Sequence, residues 1–285
     1  MLPYVEGILV SISIFAVLAV SLDLLIGYTG QFTIAQGALF GVGAYASALT
    51  AGPLGFWSGL PAGAAAGAAL GGLVALPALR VSGDYLILAS FAVQVAVSGL
   101  FLNLEATGGP GGLSRIPRPS IFGTAIDDPG AYLALYACIG LALVLLARRV
   151  VGSPFGLVLA SVREDELLAQ TLGKSVARTK VKVFLLSGAL AGAAGSLYAH
   201  YVTFIDPGSF DVEASIFVLS TVLVGGMGSI WGPVFGSALL IALPEALRFL
   251  PVAAGAAGPV RQIAYGAVLI AFCFLRPSGR AGVRR

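Results

Sequence analysis

Residues 148–182 read RRVVGSPFGLVLASVREDELLAQTLGKSVARTKVK. This stretch of 35 residues holds seven of the sixteen Lys and Arg residues of the chain and three of its thirteen acids. Almost everything on either side of it is apolar. A dense polar island between hydrophobic runs marks a segment in water joining segments in a bilayer.

Composition agrees with that frame. The 285 residues are 58% hydrophobic and 10% charged, with 39 glycines. Soluble domains carry roughly 25% charged residues, and a chain with less than half of that cannot coat a globule with polar side chains. The net charge of +3 therefore reads as topology signals in loops, not as a nucleic-acid surface. A helix needs ~20 apolar residues to cross the bilayer core. Segments near that length are 5–27, 33–50, 58–79, 85–104, 131–147, 183–204, 230–250 and 260–275, with a shorter one at 214–228. The expected fold is all-α: a polytopic integral membrane protein of about eight to ten transmembrane helices, one domain over 1–285.

Charge sets the expected orientation. The loop 148–182 and a tail carrying Arg276, Arg280, Arg284 and Arg285 belong in the cytoplasm, as does the short turn with Arg80 and Asp84. The outward loops are 105–130 and 205–213, which hold Glu105, Asp127, Asp128, Asp206, Asp211 and Glu213. Nine spans put the N-terminus outside and the C-terminus inside. No basic residue precedes Arg80, so residues 1–27 read as a retained first span rather than a cleaved signal peptide. In loop 105–130 the glycines and prolines, ending in the Asp128-Pro129-Gly130 turn, exclude a regular helix. A loop of that length is either a plain surface connection or a docking surface.

Two apolar segments are interrupted by glycine. One runs Gly30-Gln31-Phe32-Thr33-Ile34-Ala35-Gln36-Gly37 and on through Gly41 to Tyr45; the other runs Gly225-Gly226-Met227-Gly228-Ser229 and on through Gly232 to Gly236. At an offset of 195 residues Gly30, Gly37, Phe40 and Gly41 match Gly225, Gly232, Phe235 and Gly236, which suggests an internal repeat. Broken segments in corresponding halves point to a translocation path. Its candidate residues are Gly30, Gln31, Thr33, Gln36, Gly37, Gly225, Gly226, Gly228 and Ser229. The competing reading is close helix packing through small residues, which weighs equally for Gly37, Gly41 and Tyr45. Asp23, Glu245 and Arg248 are expected to face the bundle interior, the last two paired. Gln94 and Asn103 either line a path or bond between helices. Cys138 and Cys273 read as small hydrophobes and the single His200 as an interfacial side chain; one imidazole makes neither a metal cluster nor a triad.

Within the island, Ser161 and Glu164 have capping-box spacing, acids fill the next turn, and Gly173 supplies a stop. A helix over 162–172 is expected, too short and polar to span, with Leu168 and Leu172 as an apolar stripe that docks on a partner. Gly173-Lys174-Ser175 resembles the end of a phosphate-binding loop. The pattern requires glycine where Leu168 stands, and the triplet follows a helix instead of preceding one. Nucleotide binding is excluded here.

Arg163-Glu164-Asp165-Glu166, Gly173, Lys180-Val181-Lys182-Val183-Phe184 and Ser187 through Gly195 resemble the LivM-type permeases of branched-chain amino acid ABC transporters. Gly30-Gln31, Gly43-Ala44-Tyr45, Thr107-Gly108-Gly109 and Gly225-Gly226-Met227-Gly228-Ser229 with Gly232-Pro233 are similar in kind and order. Phe32 and Thr33 depart from the smaller, serine-like pair expected there. The resemblance implies the permease subunit of a bacterial inner-membrane importer without cofactor or catalytic residues. Its implied partners are a second homologous permease, two cytoplasmic ATPase subunits and an extracytoplasmic substrate-binding protein. It also implies a coupling element formed by Arg163, Glu164, Asp165, Glu166, Leu168, Leu172 and Gly173. The implied cargo is a branched-chain or related amino acid. The alternatives are a urea or short-amide importer and a self-sufficient secondary transporter or channel.

Overall fold

The computed structural model describes residues 2–51, 55–81, 83–121, 124–125, 129–247 and 266–267. Most of segment 260–275, Asp127, Asp128, Arg248, Cys273 and the four tail arginines lie outside them. The chain is helical: α1 (Leu2–Thr29), α2 (Gln36–Thr50), α3 (Phe56–Ala78), α4 (Asp84–Asn103), α5 (Pro129–Val151), α6 (Pro154–Glu164), α7 (Glu166–Thr171), α8 (Val176–Val202), α9 (Val212–Gly225) and α10 (Trp231–Leu247). Among the described residues six helices are long and apolar enough to cross a membrane: α1, α3, α4, α5, α8, and α9 with the turn before it. This is fewer than the nine spans expected. α2 and α10 have 15 and 17 residues, so α2 is about 22 Å long, short of the ~30 Å hydrocarbon core.

The helix ends follow from local chemistry. α1 stops at Thr29 because Gly30 turns to φ +68°, a conformation open to glycine. α9 stops at Gly225, and Gly226 and Gly228 take φ +102° and +77°. Each break is followed by a helix, and α2 and α10 begin at positions 36 and 231, the 195-residue offset seen in the sequence.

α1 and α8 form the centre. Two thirds of the spanning window of each is buried, against 28% for α4 and 22% for α5. α3 lies antiparallel along α8 through a seam of glycines. A Cβ on Gly67 would sit 2.2 Å from the Gly188 carbonyl oxygen, and one on Gly63 3.0 Å from that of Gly192. Small residues at every fourth position let two helix backbones meet in this way. At one end of the seam Gly59 abuts His200; at the other Lys180 Nζ donates to the Ala78 carbonyl at 3.1 Å. α9 runs parallel to α1, with Phe15 against Phe217 and Asp23 against Gly228. The ends of α1, α3, α5 and α9 thus gather on the face carrying α6 and α7, called here the loop face.

On the opposite face, residues 105–114 are ordered into two 3-10 turns and a two-residue strand. That strand, β1 (Leu113–Ser114), pairs antiparallel with β4 (Phe204–Ile205), while β2 (Ser120–Ile121) pairs with β3 (Thr124–Ala125). His200 lies near the end of α8. It is fully buried, its Nδ1 donates to the Pro117 carbonyl at 2.6 Å, and its Nε2 accepts from the Ser47 hydroxyl at 3.0 Å. Glu245 accepts a hydrogen bond from the Tyr4 hydroxyl. Cys138 is an exposed free thiol.

Candidate functional site

The polar loop folds as two helices, not one over 162–172. The Ser161 hydroxyl bonds back to the Leu157 and Val158 carbonyls, so it stays inside α6 and caps nothing. The N-cap is Asp165, whose Oδ1 accepts from the Leu167 and Leu168 amides at 2.8 and 3.0 Å. An ionised carboxylate at that position also meets the positive end of the helix dipole. At the other end Gly173, at φ +75°, donates to Gln170 O at 2.9 Å and Lys174 to Ala169 O at 3.1 Å, the paired bonds of a Schellman turn. α6 turns Gly156, Leu159 and Val162 inward, and Ala169 joins Val162 and Val176 in a small satellite core. Leu167, Leu168 and Leu172 remain 73%, 58% and 69% exposed.

Polar contacts anchor this element to the bundle. Glu166 Oε1 pairs with Lys180 Nζ at 2.7 Å and accepts from Gln31 Nε2 at 3.3 Å. Lys180 is buried and also donates to the carbonyl end of α3. A buried ammonium needs such partners, since unpaired it would face a large desolvation penalty. Arg163 reaches α1 and donates to the Gly27 carbonyl. Asp23, one turn earlier on α1, is fully buried and accepts the Gly228 amide at 2.8 Å. Gly30 packs against the Arg163 side chain, 3.5 Å from its Cγ if given a Cβ. Four candidate coupling and path residues, Arg163, Glu166, Gln31 and Gly228, are thereby joined in one cluster on the loop face.

The remaining path candidates stand apart. The break 30–35 climbs from the loop face to the start of α2, and four of its amides are satisfied on the way: Gly30 by Ile26 O, Gln31 by Leu25 O, Ile34 by Ser90 Oγ, Ala35 by Thr33 Oγ1. At the start of α2 the Gly37 amide donates to Ser215 Oγ at 2.8 Å and the Ala38 amide to Gln94 Oε1 at 2.6 Å. Gln94 Nε2 donates to Phe210 O at 2.8 Å. Gln94 is therefore a node between α2, α4 and the turn 207–210, whereas Asn103, among the described residues, bonds to Gly99 O on its own helix. Gln36 donates to the Ser21 hydroxyl on α1, and its Oε1 has no hydrogen-bond partner among the described residues. Gly37 and Gly41 have side-chain neighbours too close for a Cβ, so both serve packing. Gly225 packs on the Gly232 carbonyl, and the Ser229 carbonyl accepts from the Gly232 amide at 3.0 Å.

Lys180 as the ion partner of Glu166 and Asp23 as the acceptor for the second break were missed from the sequence. So was the stripe Gly59, Gly63, Gly67 and Gly71, whose four-residue spacing was a readable signal. Nothing local marks Lys180, which sits in a run of other basic residues.

Comparison with known proteins places this arrangement. The family described as branched-chain amino acid transport system, permease component, matches residues 4–273. The high-affinity branched-chain amino acid transport system permease proteins LivM of Salmonella typhimurium and Escherichia coli are each 34% identical over 261 residues, covering 82% of this chain and 61% of theirs. A probable LivM of Methanocaldococcus jannaschii is 28% identical over 174 residues, 60% of this chain and 50% of that protein. The chain thus spans about three fifths of the length of the LivM proteins it matches. No solved structure matches the chain significantly.

Proposed function

The chain belongs to the branched-chain amino acid transport permease family, and from that premise we propose that it is the membrane-spanning half of an ATP-driven importer. Its cargo is a branched-chain or related amino acid, and the membrane is the bacterial inner membrane. The loop face is cytoplasmic, since Arg148, Arg149, Arg163, Lys174, Arg178 and Lys182 gather there. Two ATPase subunits, a second homologous permease and an extracytoplasmic binding protein complete the transporter.

One observation carries the reading. α7 and its C-cap Leu172 present three exposed leucines to water, while Glu166, the first residue of α7, is tied to a buried lysine. An apolar patch on a rigidly anchored short helix suits docking into a groove, and the anchor passes motion of that helix to α1, α3 and α8. Glu164 and Arg163 rim the patch and set its charge, and Asp165 and Gly173 hold its ends.

The test is uptake of labelled leucine and labelled urea into liposomes containing the full transporter, with and without ATP, alongside liposomes containing this chain alone. Leucine uptake that needs ATP and all partners is expected. Uptake by the isolated chain without nucleotide would overturn the importer reading, and urea in place of leucine would reassign the cargo. In the same assay, combining Leu167→Ser, Leu168→Ser and Leu172→Ser should abolish ATP-driven uptake.

A further inference from the structure

Asp23 is fully buried on a span where its neighbours are Leu22, Leu24 and Leu25. A carboxylate in such a place is costly unless charges and hydrogen bonds compensate it. Its Oδ1 holds the Gly228 amide at 2.8 Å. Its Oδ2 makes no hydrogen bond among the described residues. A cation stands beside this site: Arg163, on the polar loop, packs against Gly27 and Gly228. In this state the Arg163 guanidinium donates to the carbonyl of Gly27, one turn further along α1. A side chain at Gly228 would begin 3.3 Å from Arg163 Nη1, and one at Gly27 would begin 2.0 Å from Asp23 Oδ1 and 2.3 Å from the Gly228 nitrogen. The loop helix α6, the central helix α1 and the break after α9 therefore meet without spare room around one carboxylate.

Holding the Gly228 amide needs only a neutral acceptor, which asparagine would supply. The second oxygen, without a hydrogen-bond partner among the described residues, is extra, and the cation beside this site lies on the element that the ATPase moves under the importer reading, on which this inference rests. We propose that Asp23 is a positioning residue that transmits displacement of the docking loop to the broken segment 226–230. When α6 shifts, Arg163 leaves the Gly27 carbonyl and engages Asp23 Oδ2; the carboxylate turns, and its hold on the Gly228 amide loosens. No covalent step is involved. Sites joined through one two-state contact are coupled by factors of about 5 to 150.

The experiment measures leucine transported per ATP hydrolysed by the complete reconstituted transporter, as wild type, D23N, R163Q and the double variant. ATP-driven uptake by the wild type tests the importer reading before any variant is made; its absence would remove that reading and this inference together. With the wild type active, D23N and R163Q should each lower the ratio about fivefold or more, and the double variant should be no worse than either single. D23N keeps the acceptor for Gly228, so its melting temperature should match or exceed that of the wild type while coupling falls. A D23N ratio equal to wild type overturns the proposal, as does additivity in the double variant. Should D23N fail to assemble, R163Q decides alone, because Arg163 lies at the surface: a wild-type ratio there also overturns it.

Discussion

Glu164 and Glu166 stand two positions apart with the same charge, and the fold gives them unlike surroundings. Glu164 ends α6 in water, whereas Glu166 opens α7 against the buried Lys180 ammonium and the Gln31 amide. Reversing Glu166 leaves the buried Lys180 ammonium facing a second cation, a loss of about 1–3 kcal/mol. Reversing Glu164 should change stability by less than about 0.5 kcal/mol and act only on docking. Detergent melting curves of Glu164→Lys and Glu166→Lys check this, and equal melting temperatures would deny the Glu166 anchor. The sequence shows an acid-rich turn at these positions. It does not show which acid is anchored, because the partner is fourteen residues away in a run of four cations.

At the scale of elements, the α3–α8 pair shows what small residues do in a bilayer. Lipid is as apolar as the helices, so their association depends on close backbone packing. Gly63, Gly67 and Gly71 on α3 and Gly188 and Gly192 on α8 bring the backbones within reach of each other. Gly67→Ala places a methyl 2.2 Å from the Gly188 carbonyl oxygen, and the helices must separate at a cost of about 1–3 kcal/mol. The melting temperature of the purified chain should fall, while Gly99→Ala, where a Cβ meets open space, should not lower it. The two breaks belong to the same scale. Their glycines were legible in the sequence, but the groups that satisfy their amides were not. Ser90, Gln94 and Ser215 serve the first break and Asp23 serves the second, all from other helices.

For the whole molecule, direction is the property that function depends on. Helix pairing puts the ends of α1, α3, α5 and α9 on the loop face and β1 with β4 on the other. In a Cys138→Ser, Cys273→Ser background, a cysteine at exposed Leu167 and one at exposed Phe204 should therefore react with a membrane-impermeant maleimide from opposite sides. In intact cells only the Phe204 position should label; labelling of both from outside would overturn this topology. The basic loop is the argument for that direction, since positive charge resists translocation.

By itself the sequence determined the solvent and the punctuation of this protein. Low charge demanded a bilayer, the polar island demanded water, and glycines at 30, 226 and 228 demanded breaks, because each is a local property of residue type. Helix 162–172 shows where local reading stops: Ser161 has capping spacing, yet Asp165 is the cap, since α6 arrives from Pro154 already wound through Ser161. Only the tertiary structure decided that Lys180 is a buried anchor and that Asp23 accepts the Gly228 amide of the second break. Those roles depend on groups as much as 205 residues apart brought within hydrogen-bond distance. That proximity arises from glycine-to-backbone packing of whole helices, a fit between two surfaces that neither helix carries alone.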